Sequence, residues 1–517
     1  MKTQAHQSCS MGDLIITAIH RGGDRDAFVW GDLHITYREM GRQLSQIIQV
    51  LDGMGLQHGQ TIATLSTNRP HAFFISAAAY VMGLRVVWMN PMSSSDDHLY
   101  QVEDAQVQLM VVEPSSFGER ALKIAQLVDR ALPLLGFGPW EGQTDLFSQM
   151  ALQTPQTLVS RSQEDDHCAL IYTGGTTGKP KGVLHTHRVM VAMVMMQMAD
   201  FDWPAMPRFL AMTPITHAAG ALIPPVLMRS GTVIMHPGFD VKTFCALVQR
   251  HRVNCTFMVP TMIYVLLDSP VRQDYDLSSL ETLIYGAASI APARLKEGIA
   301  ELGPIFMQLY GQSEAPMAMT VLHKHEHDPE NYPHRLSSCG TPVVGIQLAL
   351  LDDEGQPVPT GEVGEICVRG PLVMQEYIHK PEENGQAFRH GWLYSGDLAR
   401  RDNEGYLYIV DRSKDMVISG GFNVYPREIE DVLATHPAVA AVAVVGVPHE
   451  KWGEAVHAVV VWRTGQTADW GELADQVRAK KGAVHVPKYF HAVDQLLTTG
   501  LGKVDKKAIR MQVQSFH

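Results

Sequence analysis

The sequence predicts an α/β protein: a large N-terminal domain of β-sheets covered by helices, then a β-subdomain, then a small C-terminal α+β domain. Three observations predict this. Apolar stretches of strand and helix length alternate along the chain, the rhythm of sheets covered by helices. Residues 347–369 read instead as successive strands with glycine-rich turns, such as the one from Asp353 to Gly355. After Asp411 comes a compact unit of about 100 residues, an ordinary domain size. The length of 517 residues leaves room for about three or four such units.

The elements follow from periodicity. Residues 37–51 place apolar side chains at helical spacing until Gly53 and Gly55 stop the run. Residues 60–65 read as a strand, 72–82 as a helix, 84–89 as a strand and 90–97 as a loop. Methionines 190, 193, 195, 196 and 198 read as the adaptable core face of a helix. Beyond 412–414, taken as the domain boundary, the pattern predicts a turn at 419–423 and a helix at 426–434. Strands at 439–445 and 455–462 and a basic tail follow.

Composition narrows the function classes. With 45% hydrophobic and 19% charged residues the chain reads as an ordinary globular protein with large cores. A net charge of −12 argues against nucleic-acid binding, which needs a basic surface. The six cysteines form no CxxC pair and read as free thiols in a reducing compartment. His185 and His187 make an HxH pair that, without a third ligand, is weak evidence for zinc. The polar N-terminus and the lack of a run of ~20 apolar residues predict a cytoplasmic protein with no integral membrane segment.

The strongest chemical signal runs from Tyr172 to Gly182. A short apolar strand feeds a loop holding Thr173, Gly174, Gly175, Thr176, Thr177, Gly178, Lys179, Pro180 and Lys181. Glycines let backbone N–H groups approach phosphate oxygens without Cβ interference, while the threonines and Lys181 add hydroxyls and charge. The Walker P-loop is excluded: only three residues separate Gly174 from Gly178, and Pro180 follows Lys179 where that motif needs Ser or Thr.

This loop, read as YTSGTTGxPKG with Gly174 in place of the usual serine, resembles that of the adenylate-forming superfamily, which includes acyl-CoA synthetases. The resemblance covers nearly the whole chain. His217 and Gly220 lie in a PxxHxxG-like segment, and Gly286, Ala287, Ala288 and Ser289 resemble the small-residue turn that packs on adenine. Tyr310, Gly311, Gln312, Ser313 and Glu314 resemble the YGxTE motif. Asp397 lies in a YxGD-like segment, with Arg412 fifteen residues on. Gly420, Gly421 and Phe422 follow the candidate hinge Lys414, and Lys503 lies in a GKxxK-like ending where Leu497 replaces the usual proline.

The resemblance implies an AMP-forming acyl-CoA synthetase with a hinge at 412–414 between domains 1–411 and 415–517. ATP and CoA are the implied co-substrates and Mg²⁺ the cofactor. ATP would be held by Thr173 to Gly178, Lys181, Gly286 to Ala288, Tyr310 to Ser313, Asp397, Arg412 and Lys503, and Mg²⁺ by Thr176 and Glu314. Catalysis would rest on Lys503, His217, Glu314 and Thr176, and CoA would meet Gly420, Gly421 and Phe422. The implied acyl pocket draws on His217, Gly220, Ala221, Tyr285, Gly286, Gly311 and Gly340. Its segments are apolar with no evident Lys or Arg, which favours a fatty, aromatic or alicyclic acid. Competing readings are a standalone adenylation domain loading a carrier protein, a luciferase-like oxygenase and a silent nucleotide-binding protein. The oligomeric state is open, a homodimer being one option.

Overall fold

The computed structural model describes residues 8–173, 180–412, 414–419, 422–499 and 504–515. Among them, four sheets organise the chain. A nine-stranded sheet is parallel through its centre, from Phe306–Tyr310 across Thr282–Tyr285, Cys255–Met258, Arg208–Ala211 and Thr232–Met235 to Asp26–Trp30. An eight-stranded sheet is parallel from His167–Thr173 through Arg85–Trp88 and Thr61–Leu65 to Thr144–Asp145. Lys181–Thr186 and Glu376–Tyr377 add to it antiparallel.

The helix Pro70–Met82 explains how the two sheets meet. All thirteen of its residues are buried, which requires apolar surroundings on every side. It lies in one core shared by both sheets: Ile62, Val86 and Val111 come from one, Phe209, Ile284 and Leu309 from the other. Side chains of opposite strand parity, such as Leu283 and Tyr285 or Ala63 and Leu65, pack into separate outer cores. Helices therefore lie between the sheets and on both outer faces.

Two smaller sheets follow. Gln347–Leu351, Gly364–Arg369, Trp392–Arg401 and Leu407–Arg412 build an antiparallel subdomain. Val417–Ser419 already belongs to the fourth sheet, with Val439–His449, Gly453–Trp462 and Tyr489–Ala492. The fold is thus mixed α/β, with a large N-terminal part and a small C-terminal domain around its own valine-rich core.

Three expectations need correction. Residues 90–97 are not all loop, because Ser94 accepts a hydrogen bond from the Asp97 amide at 3.0 Å and starts the helix Ser95–Asp104. The basic tail is folded into Trp470–Lys481, Tyr489–Ala492 and Lys506–Gln514. The strand expected to end at 445 runs to His449, paired along its length with Gly453–Trp462. All six cysteines are free and five are buried. No helix among the described residues is long and apolar enough to cross a membrane.

Candidate active site

The site assembles at the C-terminal ends of parallel strands, where open α/β sheets ordinarily bind ligands. Tyr310 ends the strand Phe306–Tyr310, and its hydroxyl donates to Asp397 Oδ2 at 2.7 Å. Gln312 Nε2 donates to the same oxygen at 2.7 Å and to the Ser395 carbonyl at 2.9 Å. Arg412 faces Asp397 because the antiparallel register pairs the two residues, placing its Nε 3.4 Å from Oδ1. A hairpin thus brings together groups fifteen residues apart. Asp397 is only 6% exposed. Burial and the adjacent carboxylate hold the Tyr310 phenol well above its ordinary pKa, so it remains a donor. With Oδ2 occupied twice, Oδ1, beside Arg412, is the oxygen left able to accept from a further hydroxyl.

The strands His167–Thr173 and Lys181–Thr186 pair antiparallel, Thr173 opposite Lys181, so both flank the ends of the glycine-rich loop. Gly174, Gly175, Thr176, Thr177 and Gly178 lie outside the described residues, as do Gly420, Gly421 and Lys503. Lys181 Nζ sits 4.0 Å from the centroid of the Tyr377 ring, a cation–π contact. Burial lowers its pKa, Glu314 opposes that shift, and Lys414 adds repulsion. The Tyr377 hydroxyl donates to Glu314 Oε1 at 2.6 Å. Oε2 makes no hydrogen bond among the described residues, which suits a hard cation shared with nucleotide phosphates.

Two supporting residues escaped the sequence reading. Tyr377 reaches Glu314 only because Glu376–Tyr377 pairs with Lys181–Thr186. His185 belongs to no metal pair: it is fully buried, its Nε2 bonds the Ser313 carbonyl at 2.8 Å, and burial lowers its pKa to about 4. His187 Nδ1 instead accepts from the Met11 amide at 3.1 Å. The HxH spacing did mark a buried strand end, but nothing in it named these partners.

The turn after Thr282–Tyr285 is tight. A Cβ on Gly286 would lie 2.6 Å from the Leu309 carbonyl oxygen, and Ala287 adopts φ +67°, a left-handed conformation that non-glycine residues rarely take and that clusters at functional sites. Beyond it, Gly311 packs against the backbone of Met317. His217 precedes the short helix Ala218–Ala221, and a Cβ on Gly220 would lie 1.8 Å from the Ile215 carbonyl oxygen, so only glycine allows this loop to fold back. Asn68 ties the loop to the other sheet. It donates to the Thr213 and His236 carbonyls at 2.8 and 3.0 Å and accepts from the Ile215 amide at 2.9 Å.

His217, Gly220 and Ala221 line one cavity, together with Thr64 and Trp88 of the eight-stranded sheet and side chains of the central helices. Gly286 and Gly311 are not in its lining, and neither are Tyr285 and Gly340. Tyr285 points the opposite way from Ile284, into the outer core, where its hydroxyl meets Gln308 Oε1 at 3.1 Å and His327 Nε2 at 2.9 Å. Gly340 backs onto the Val321 carbonyl at the sheet edge. The apolar character of the segments concealed this one-residue alternation.

Residues 17–378 match the family model described as AMP-binding enzyme, and residues 428–503 match that described as AMP-binding enzyme C-terminal domain. Medium/long-chain-fatty-acid–CoA ligase FadD8 of Mycobacterium tuberculosis is 44% identical over 513 residues, covering 96% of this chain and 89% of its own. Feruloyl-CoA synthase of Amycolatopsis sp. is 34% identical over 496 residues, covering 96% and 95%. Among solved structures, amide bond synthetase McbA from Marinactinospora thermotolerans superposes with a TM-score of 0.90 at 29% identity, covering 98% of this chain and 100% of its own. The chain belongs to the AMP-binding enzyme family, in the acid–CoA ligase branch of the adenylate-forming enzymes.

Proposed function

We propose that the protein joins a carboxylic acid to AMP and passes the acyl group to the thiol of CoA. The observation that carries this reading is the segment 310–314, whose Tyr310 bonds the buried carboxylate of Asp397 and whose Glu314 accepts from Tyr377, itself in contact with Lys181 at the end of the glycine-rich loop. In the first step a carboxylate oxygen of the acid attacks the α-phosphorus of ATP and the bond to the β-phosphate oxygen breaks, releasing pyrophosphate. In the second the CoA sulfur attacks the acyl carbon, AMP leaves, and the thiol proton passes to solvent.

Both reactants of the first step are negative, so the residues must position them and offset charge. Asp397 with Arg412 would hold the ribose, and Gly286, Ala287, Ala288 and Tyr310 the adenine. Thr173 to Gly178 and Lys181 would take the phosphates. Lys503, a cation at neutral pH as lysine ordinarily is, would bridge the acid and the α-phosphate. Glu314 and Thr176 would hold Mg²⁺, which supplies charge neutralisation on the departing pyrophosphate. His217 would stand at the mouth of the acyl cavity, and Gly420, Gly421 and Phe422 would admit CoA after the 415–517 domain turns about 412–414.

The acid is read as fatty, aromatic or alicyclic, since the cavity is lined largely by apolar groups. Relatives named for fatty-acid and feruloyl ligation fit that range. McbA, named an amide bond synthetase, makes the acceptor a point to test alongside a carrier-protein thiol. Purified protein given ATP, Mg²⁺ and a panel of apolar acids is expected to release pyrophosphate, and to release AMP in proportion to free CoA. ADP formation, or turnover with amines or carrier protein but not CoA, would sink the reading.

A further inference from the structure

The cavity behind His217 carries a buried hydroxyl without a hydrogen-bond partner among the described residues, Thr64 Oγ1. It is enclosed by the strand Thr61–Leu65, the buried helix Pro70–Met82 and the helix His187–Asp200, with His217, Gly220 and Ala221 on its remaining side. Alternation along the strand sends Ala63 and Leu65 to the outer core and Thr64 to the inner side, with Ile62. Thr64 is 4% exposed, and its Oγ1 has no hydrogen-bond partner among the described residues. Tyr80, 2% exposed, lines the same cavity. Burial keeps that phenol protonated. Ser76 accepts from Trp88 Nε1 at 2.9 Å, while its own hydroxyl reaches the Ala72 carbonyl only at 3.5 Å.

Buried polar groups are ordinarily paired, and leaving them unpaired is costly. An all-carbon tail in this cavity would perpetuate that cost, whereas one hydroxyl or carbonyl on the ligand would relieve it. Size points the same way. The cavity is small, ≈ 40 Å³, so any ligand must push side chains aside. Met190 and Met193 line the cavity, and methionine is unbranched and adapts readily. Bulky groups stand in the way of a long chain: Trp88, Tyr80 and Met11 also line the cavity, and the Met11 amide is anchored on His187.

We propose that the acid is a compact aromatic or alicyclic one bearing a hydroxyl or oxo group at the end remote from its carboxylate, held by Thr64 Oγ1 and the Tyr80 hydroxyl. This rests on the reading of His217 as the mouth of the acyl pocket. Thr64 and Tyr80 are then specificity-determining residues that lie in none of the family motifs.

The test is ATP–pyrophosphate exchange by the full-length protein with matched acids: cinnamate against 4-hydroxycinnamate, and cyclohexanecarboxylate against its 4-hydroxy derivative, with hexanoate and dodecanoate as chain controls. The hydroxylated member of a pair is expected to win by about ten- to hundredfold in kcat/KM. Thr64→Val and Tyr80→Phe should each bring that ratio toward one, mainly through KM, while Thr64→Ser should preserve it. Preference for the plain acids or for dodecanoate overturns the proposal. So does a hydroxyl preference that survives both substitutions, or equal loss on both members in Thr64→Val and Thr64→Ser, which marks a packing role. Exchange with no acid at all overturns the adenylation reading itself, a different failure from a wrong preference among acids that do react.

Discussion

The Asp397 cluster and the seam between the large and small domains use the same chemical groups, carboxylates and arginines, with different support. In the cluster, Asp397 is buried and receives Tyr310 and Gln312 at 2.7 Å each, on a strand whose register with Arg412 is fixed by backbone pairing. At the seam, Arg400 of the strand Trp392–Arg401 reaches Glu428 of the helix Pro426–Leu433 at 3.3 Å with its side chain 42% exposed. Glu428 is also shared with Lys481 at 3.2 Å. The two ion pairs are alike in exposure, 58% and 8% for Arg412 and Asp397 against 42% and 12% for Arg400 and Glu428; the difference is that Asp397 also holds two uncharged donors, whereas Glu428 is held by charged partners alone among the described residues. On the proposed reading the first side holds the nucleotide and stays, and the small domain is re-seated between half-reactions.

The sharpest way to break this contrast is to separate the half-reactions. Lys503→Ala should lower adenylate formation by about 10²–10³, the cost of removing one charge-stabilising donor, and leave thioester formation from a synthetic acyl-adenylate largely intact. Gly421→Leu should do the reverse. Lys414→Pro should behave like Gly421→Leu, because proline fixes φ near about −65° where a hinge must rotate. ATP–pyrophosphate exchange set beside CoA consumption from preformed adenylate reads both. Equal loss in both assays for all three variants would mean that the domain does not alternate.

Next in size is the fixed side. Asp397→Ala removes the acceptor of Tyr310 and Gln312 and, on the proposed reading, of the ribose. A hydrogen bond to a charged group is worth about 1.5–3 kcal/mol, so KM for ATP should rise roughly ten- to hundredfold, with KM for the acid little changed. A rise in acid KM alone would place Asp397 in the acyl pocket.

Much of this contrast was legible in the sequence, and the exceptions have physical causes. Tyr310, Gln312, Asp397 and Arg412 stood out as motifs, and the structure brings them together through one strand end and one hairpin. Tyr377 and Asn68 did not stand out, because their partners lie 63 and 147 residues away and local pattern carries no trace of such contacts. The folded tail was missed for another reason. Its lysines look solvated, yet Lys506 binds Glu430 at 2.9 Å, and Ile509 and Val513 of the same helix are fully buried. The helix Ser95–Asp104 buries only His98, Gln101 and Val102, too polar a face to announce a helix by hydrophobic period.

A smaller effect tests whether the phosphate side belongs with the fixed region. Tyr377→Phe keeps the ring under Lys181 but removes the donor to Glu314 Oε1. A typical hydrogen bond contributes about 0.5–1.5 kcal/mol, so the Mg²⁺ concentration for half-maximal exchange should rise about two- to tenfold while KM for the acid stays put. Tyr377→Leu, which also removes the ring, should add a loss in ATP affinity. If Tyr377→Phe leaves the Mg²⁺ dependence unchanged, the hydroxyl only ties two strands together.

The smallest expected effect bears most directly on the seam. Arg400→Ala deletes one half-exposed ion pair, worth about 0.2–1 kcal/mol, and leaves Glu428 with Lys481 as a partner, so no buried charge is stranded. Folding stability should change little. The balance between domain poses should shift by at most about fivefold, because 1.4 kcal/mol is a tenfold change in an equilibrium constant. A shift of that kind moves the two half-reactions in opposite directions, since a pose gained by one is lost to the other. The same shift should appear in the unaltered protein at high salt, where the pair is screened, and salt should then have little further effect on Arg400→Ala. A variant in which both half-reactions fall together, at every ionic strength, would show that Arg400 supports the fold of the subdomain and not the seating of the small domain.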